Sequence, residues 1–224
     1  MPVLALDTSG AVAVALTDDA GAVLAARSDD QQRHHAELLA PMIAAVLAEA
    51  GVDRRDLSAV VVGTGPAPFT GLRVGLVSAR TLALALGVPA LGVPSLDAIA
   101  AAASRDLEPG ADIVVGTDAR RREVYWGTYR VVGAGSVEVV LPPQVGAAAD
   151  VVVPAGATVV GRGALLYPDL GAGSVDGHLL DPDPAELARL AIERRAQGLD
   201  LPTVPLYLRR PDAVPSAASK RVLG

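Results

Sequence analysis

The sequence predicts an α/β protein built as two related lobes, the second a reduced copy of the first. Three observations lead there. Short Val- and Ala-rich runs alternate with longer segments of helical period, as strands interleaved with helices do. The run Val3-Leu4-Ala5-Leu6-Asp7 returns as Ile113-Val114-Val115-Gly116-Thr117-Asp118, each time an apolar strand with Asp at its end. Each copy is followed by two further strand-like runs, and after the second copy Gly and Pro become frequent.

In the first half, Val3–Leu6 runs into the turn cluster Asp7-Thr8-Ser9-Gly10. Val12–Leu16 follows, and Asp18-Asp19-Ala20-Gly21 turns the chain into Val23–Ala26, a three-stranded meander. His35, Leu38, Leu39, Met42, Ile43 and Val46 then recur on one helical face, with Pro41 expected to bend the helix and Gly51 to stop it. Ser58–Val62 reads as a buried strand leading into the loop Gly63–Gly71, and a second helix is expected from about Leu72 to Leu86, stopped by Gly87. Pro89–Val93 is a short strand, and Ser95 is read as the cap of a third, Ala-rich helix.

In the second half, strands are expected at Ile113–Asp118, Glu123–Arg130 and Val137–Leu141. Alternation sends Val124, Trp126 and Thr128 to one face and Tyr125 and Tyr129 to the other, so both faces are expected to be covered. One clear helix remains, with Asp183 as cap, Pro184 first, Glu186 third, an apolar face of Leu187, Leu190 and Ala191, and Gly198 as stop. These signals divide the chain into an N-terminal lobe at 1–104, a reduced C-terminal lobe at 105–210 and an exposed tail at 211–224.

Composition narrows the function. Of 224 residues 51% are hydrophobic and 20% charged, enough apolar side chain for a core. Lys and Arg total 19 against 25 Asp and Glu, a net charge of −6, which argues against this chain gripping a nucleic-acid backbone unaided. Absence of Cys excludes disulfides, thiolate metal sites and a Cys nucleophile. The N-terminus has no basic region before its apolar run, and Asp7 breaks that run early. No apolar stretch approaches the ~20 residues of a membrane span, and a soluble cytoplasmic protein without a membrane partner is the expectation.

Several motifs carry possible chemistry. Asp7-Thr8-Ser9 closes a strand at a hairpin, where actin-like ATPases and sugar kinases hold magnesium and phosphate; from this motif alone ordinary turn chemistry is the favoured account. Gly63–Gly71 is Gly-rich but is neither a P-loop, since Leu72-Arg73 follows, nor a dinucleotide fingerprint, since Pro68 stands where the third Gly belongs. Thr70 reads as the cap of the helix after it. In that helix Gly71, Gly75, Ala79 and Ala83 make a stripe of small residues, joined by Ser78, that admits another backbone, either the chain's own core or a subunit. Arg73 and Arg80 share a second face. His34 and His35 are adjacent and point about 100° apart on a helix, a poor arrangement for a shared metal. Arg120-Arg121-Arg122 is a small basic cluster for phosphate or for a solvated turn.

Taken together, Leu4–Ser9, Gly63–Gly75, Thr117–Trp126 and Pro205-Leu206-Tyr207-Leu208-Arg209 resemble the TsaB (YeaZ) family, in order and spacing, along almost the whole chain. The resemblance implies a duplicated actin-like fold of the sugar-kinase/Hsp70 class, with mixed sheets and flanking helices. It implies a role in forming N6-threonylcarbamoyladenosine at position 37 of tRNAs that read codons beginning with A. In such systems TsaC makes threonylcarbamoyl-adenylate, TsaD transfers the group to adenine, and TsaE, an ATPase, joins the complex. Two departures matter. Ala67-Pro68 stand where the family reads Gly-Ser, and Pro removes an amide donor. Ser95 and Ile99 stand where the related TsaD carries its metal-binding His-x-x-x-His, and Ile cannot ligate a metal.

The resemblance therefore points to a catalytically silent paralogue that scaffolds TsaD and TsaE and meets tRNA only through the complex. The expected partner surface combines His35, Leu38, Leu39, Met42, Ile43 and Val46 with Gly71, Leu72, Arg73, Gly75, Leu76, Ala79 and Arg80. The same surface is expected to form a homodimer when TsaD is absent. No cofactor of its own is implied; Asp7, Thr8 and Ser9 are expected as a vestigial nucleotide site, and a nucleotide held weakly at the seam with TsaD stays open. The rival is a small ATP-dependent phosphotransferase using Asp7. A peptidase fits poorly, lacking a Cys nucleophile, a usable His pair and a Gly-x-Ser-x-Gly elbow.

Overall fold

Two mixed sheets share one strand order, and that order is where the duplication becomes visible. The computed structural model describes residues 1–30, 35–171 and 179–209, His35 by its backbone alone. The first sheet uses β1 (Val3–Asp7), β2 (Val12–Thr17), β3 (Val23–Asp29), β4 (Ala59–Gly63) and β5 (Ala90–Val93), ordered β3-β2-β1-β4-β5. The meander β1–β3 is antiparallel, while β4 and β5 run parallel to β1. The second uses β6 (Asp112–Asp118), β7 (Glu123–Gly133), β8 (Ser136–Ala147) and β9 (Thr158–Val160), ordered β8-β7-β6-β9. Here β6 and β7 are antiparallel and β6 and β9 parallel, so each strand repeats the place of β3, β2, β1 and β4 in turn. This is the duplicated actin-like fold.

Reduction of the second copy is specific. Between β3 and β4 stands α1 (His35–Ala50); between β8 and β9 stands only a short 3₁₀ turn, Ala148–Asp150. After β4 comes α2 (Phe69–Leu86), 18 residues long; after β9 comes α4 (Arg162–Leu166), 5 residues long.

Side-chain alternation in β1 and β4 divides the first lobe into two cores. Leu4, Leu6, Val60 and Val62 face α1 and α2, meeting Leu39, Val46, Leu72, Leu76, Ala79 and Ala83. Val3, Ala5, Ala59 and Val61 face the opposite way, against Leu187, Ala188, Leu190 and Ala191 of α5 (Pro184–Ala196). The helix expected within a C-terminal lobe at 105–210 thus belongs to the first lobe by packing. The physical reason is that α1 and α2 cover one face of the sheet and leave the other apolar face bare. The extended segment 199–209 returns with α5: Gly92 N–H donates to the Leu201 carbonyl at 2.9 Å, and Leu206 N–H to Thr64 at 2.9 Å.

Helix α3 (Ser95–Ala103) is buried at every position. Ala98 and Ala101 join the α5 core, and Leu96, Ile99 and Ala100 join Ile113, Val115, Tyr129 and Val160 of the second sheet. Its alanines are what let two layers approach it at once. Asp97 in this helix accepts from Tyr129 Oη at 3.0 Å and from Arg194 of α5 at 2.7 Å. Burial, reinforced by Asp97, pushes the Tyr129 hydroxyl well above its ordinary pKa. The lobes are joined by a packed seam, not by a linker.

Local expectations fare unevenly. Gly51 and Gly87 end α1 and α2 at φ +65° and +69°, the left-handed conformation that favours glycine. Pro41 does not split α1, which runs through it with Pro41 exposed. The buried stripe anchors the helix although one backbone hydrogen bond is lost. Asp183 does cap α5, accepting from Ala185 N–H at 2.8 Å, but Glu186 pairs with Arg105 at 3.0 Å rather than with the cap. Val124 and Tyr129 go to opposite cores, as alternation requires. The expected tail at 211–224, and His34, lie outside the described residues.

Candidate functional site

Between the lobes lies a cleft of about 370 Å³, and of the two strand-end aspartates Asp118 lines it. Its walls are the β1 turn (Thr8, Ser9, Gly10), the start of α2 (Thr70, Gly71, Val74), the end of β6 (Thr117, Asp118), and Arg120, Arg162 and Asp181. This is where an actin-like ATPase would hold its nucleotide, so the disposition of each polar group decides whether this chain could.

Asp7 is 1% exposed and does not line the cleft. One carboxylate oxygen accepts from the backbone N–H of Ser9 at 2.7 Å and its hydroxyl at 2.5 Å. The other accepts from the Ser95 hydroxyl at 2.6 Å, which in turn accepts from Gly65 N–H at 3.1 Å. Ser95 is therefore not the cap of α3 but the link between β1, the loop after β4 and α3. Thr8 is equally committed: its hydroxyl donates to the Gly71 carbonyl at 2.8 Å and accepts from Gly75 N–H at 3.1 Å. Thr70 is the second residue of α2, not its cap; α2 begins at Phe69, after Pro68. Asp7 and Thr8 thus form a buried brace, with Ser9 half-buried beside them. The Asp7 carboxylate does not fit a magnesium site, because both its oxygens are turned inward and held by Ser9 and Ser95; Thr8 and Ser9 still line the cleft.

Burial pushes the Asp7 carboxyl up from 3.8 to about 6, against the pull of its hydrogen bonds from Ser9 and Ser95. A raised folded-state pKa means stability that is fully present below pH 3.8 and lost as pH rises through about 6. The shift corresponds to about 3 kcal/mol. Asp7→Asn keeps the shape and removes the titration. The unfolding free energy of the wild type relative to Asp7→Asn is expected to fall by about that amount between pH 4 and pH 7. Parallel urea titrations of both proteins across this range check it; a constant difference overturns the buried brace.

In the second lobe Asp118 is the counterpart of Asp7, but it is turned toward the cleft. It accepts from Arg120 N–H at 2.8 Å and from the Tyr167 hydroxyl at 2.9 Å, and its carboxylate pairs with the Arg120 guanidinium at 3.2 Å. Opposite it, Arg162 ion-pairs with Asp181, which holds the guanidinium pKa up. The hairpin after β6 is strained: Arg120, Arg121 and Arg122 have φ of +63°, +58° and +63°. That conformation costs a non-glycine residue ~1–2 kcal/mol. All three residues are exposed, and Arg120 lines the cleft.

The residues expected at a partner surface divide sharply. Leu39, Val46, Leu72, Gly75, Leu76 and Ala79 are core residues, Leu39 at 2% exposure and Ala79 at 0%. The apolar stripe of α1 and the small stripe of α2 are taken by the chain's own sheet. Leu38, Met42 and Ile43 are half-buried at the edge of that core, Gly71 lines the cleft, and the side chain of His35 lies outside the described residues. Arg73 and Arg80 are exposed but engaged within the chain. Arg73 Nε donates to the Tyr207 hydroxyl at 3.0 Å, and Arg80 Nε donates to the Thr203 hydroxyl at 2.8 Å, clamping segment 199–209 along α2. Arg209 pairs with Glu123 at the start of β7.

What the sequence reading missed is the outer face of these helices. Val77 is 61% and Leu84 84% exposed on α2; beside them Ala40, Ala44 and Ala48 are exposed on α1. The signal was present. Helix α2 is apolar on more than one side, with a mean hydropathy of 1.3 over 18 residues, enough by length and composition to cross a membrane. Its inner side is locked onto the sheet by Leu72, Leu76, Ala79 and Ala83, which leaves the outer side as the face in need of a cover.

Comparisons with known proteins agree with this architecture. A family model described as TsaD, tRNA N6-adenosine threonylcarbamoyltransferase, matches residues 23–160. The chain is 33% identical over 223 residues to the tRNA threonylcarbamoyladenosine biosynthesis protein TsaB of Escherichia coli, covering 93% of this chain and 95% of that one. It is 43% identical over 199 residues to an uncharacterized protein of Mycobacterium tuberculosis, with 87% and 84% covered. The solved structure of YeaZ from Pseudomonas aeruginosa superposes with a TM-score of 0.79 at 32% identity, covering 92% of this chain and 99% of that one.

Proposed function

The chain belongs to the TsaB family of tRNA threonylcarbamoyladenosine biosynthesis proteins, and on that footing we propose that it supports the transfer reaction without performing it. Its partner is a TsaD-type transferase. The observation that carries this reading is the pairing of a buried, internally bonded Asp7 with an uncovered helical face. Asp7 spends its carboxylate oxygens on Ser9 and Ser95, and Thr8 its hydroxyl on the backbone of Gly71 and Gly75. Meanwhile Val77 and Leu84 stand open on α2 next to the small exposed residues of α1. Small side chains let a facing helix approach closely, and the two large ones supply apolar area to bury.

The outer face of α1 and α2 seats the transferase, and in its absence a second copy of this chain. The assembled pair receives the TsaE-type ATPase. A nucleotide at the seam draws its metal ligand from the partner, since the Asp7 carboxylate is held by Ser9 and Ser95. The rival phosphotransferase requires Asp7 to reach a metal in the cleft, and its burial speaks against that.

The test is threonylcarbamoyl transfer to tRNA in a reconstituted mixture of TsaC, TsaD and TsaE, with and without this chain. Modification is expected to depend on the chain and to persist in Asp7→Asn. Equal modification without the chain overturns the reading; loss of modification in folded Asp7→Asn favours the phosphotransferase.

A further inference from the structure

We infer that segment 199–209 is a third element of the partner surface, forming with α2 the seat for one amphipathic helix of the transferase. On α2, Arg73, Val77, Arg80 and Leu84 follow one another at i, i+4, i+7 and i+11, so they make a single stripe, and all four are exposed. The segment is fixed to that stripe at two points. Tyr207 is held by Arg73, whose guanidinium also lies 3.5 Å from the Phe69 ring centroid. Thr203 is held by Arg80 through its hydroxyl, at 2.8 Å, and through its carbonyl. From Arg73 to Arg80 the helix rises about 10 Å, and from Thr203 to Tyr207 the chain can span at most about 13 Å. The segment therefore runs antiparallel to α2 along two turns. Val77 stands between the two arginines on the helix and Val204 between the two clamps on the segment, each 61% exposed.

The chemistry of this face selects its occupant. Neither α2 nor 201–209 carries an acidic residue, in a chain whose net charge is −6. Arg209 is balanced by Glu123. Arg73 and Arg80 are held by neutral groups, a tyrosine hydroxyl and a threonine, and a guanidinium keeps further donors after such bonds. Carboxylates on the partner are what these two positions complement. Pro202 and Pro205 have no N–H to offer, which spoils the segment as a template for an added strand. Recognition then falls to side chains, as when a helix lays its apolar face on a groove. Val77, Leu84 and Val204 supply the apolar contact, and Arg73 and Arg80 the charge beside it. The occupant is a helix whose apolar stripe is bordered by carboxylates. A second copy docking α2 on α2 would set arginine against arginine, which favours the transferase over self-pairing here.

The partner's identity rests on the proposed function; the surface rests on the geometry above. The full chain is titrated calorimetrically with the TsaD-type transferase, and amide exchange across 199–209 is followed with and without it. Binding is expected to slow exchange in 203–207 and to weaken as salt rises. Val204→Asp is expected to weaken binding about tenfold with the thermal midpoint held, since the residue it replaces is mostly exposed. Arg80→Ala releases Thr203; it is expected to speed exchange in 203–207 of the free chain and to weaken binding by a similar factor. Unchanged affinity in folded Val204→Asp, or unaltered exchange in 203–207 at saturating transferase, overturns the inference. If Val204→Asp lowers the midpoint, exchange in the wild type decides. Slowing that follows the chain's own concentration and not the transferase overturns it in favour of a second copy. Binding lost in Val77→Asp with Leu84→Asp but intact in Val204→Asp defeats this inference and leaves the proposed function standing. A transferase that does not bind the wild type at all defeats the proposed function itself.

Discussion

A chain carrying Val77→Asp and Leu84→Asp is expected to stay folded and to lose its partner. Both residues are largely exposed, at 61% and 84%, so the substitutions remove little internal contact. Burying a residue of this size against a partner contributes about 1.5–3 kcal/mol, and a carboxylate in its place must be desolvated without a counter-charge. Two such positions lower affinity by at least about a hundredfold, taking ~1.4 kcal/mol per factor of ten. Calorimetric titration of the TsaD-type partner, with sedimentation of the chain alone for self-pairing, reads the effect. The thermal midpoint serves as the control. Leu39→Asp is the contrast: at 2% exposure it places a charge inside the first core and is expected to unfold the lobe. Unchanged affinity in the double variant would show that the outer helical face is not the interface.

Gly63→Ala is expected to be the most damaging single methyl in the molecule. A Cβ on Gly63 would sit 1.7 Å from an Asp7 carboxylate oxygen, 2.6 Å from the Ser95 hydroxyl and 2.8 Å from the Asp7 carboxyl carbon. Asp7 cannot withdraw, because one of its oxygens is held by Ser9 and the other by Ser95. Relief must come from separating β1 and β4 or turning the carboxylate off its donors. Either costs about 3 kcal/mol or more, a fall in thermal midpoint of roughly 10 °C for a chain of this length. Asp7→Ala in the same chain opens the space and should return part of the loss. A midpoint unmoved by Gly63→Ala would mean that Asp7 does not lie across the end of β4.

Much of the architecture was legible because it is written at short range. Strand periods, the Asp-turn repeat at Asp7 and Asp118, and the helix stops at Gly51 and Gly87 each depend on a few adjacent residues. The site was less legible. Asp7-Thr8-Ser9 reads the same whether its oxygens face a cleft or the interior; the difference is Ser95, 88 residues away. Arg73 and Arg80 read as a surface face, and their partners Tyr207 and Thr203 stand 134 and 123 residues further along.

By itself the sequence determined the two-lobed α/β plan, the reduction of the second copy and the family, since local period, turn chemistry and motif spacing carry all three. Only the tertiary structure decided which side of each helix is spare. A helical stripe of Leu39, Val46, Leu72 and Leu76 satisfies the same apolar demand on its own sheet or on a partner, and nothing in its spacing distinguishes the two. The sheet takes it first, because the chain folds on itself at a far higher effective concentration than any partner offers. What remains for recognition is the face left over, Val77 and Leu84 with the small residues of α1.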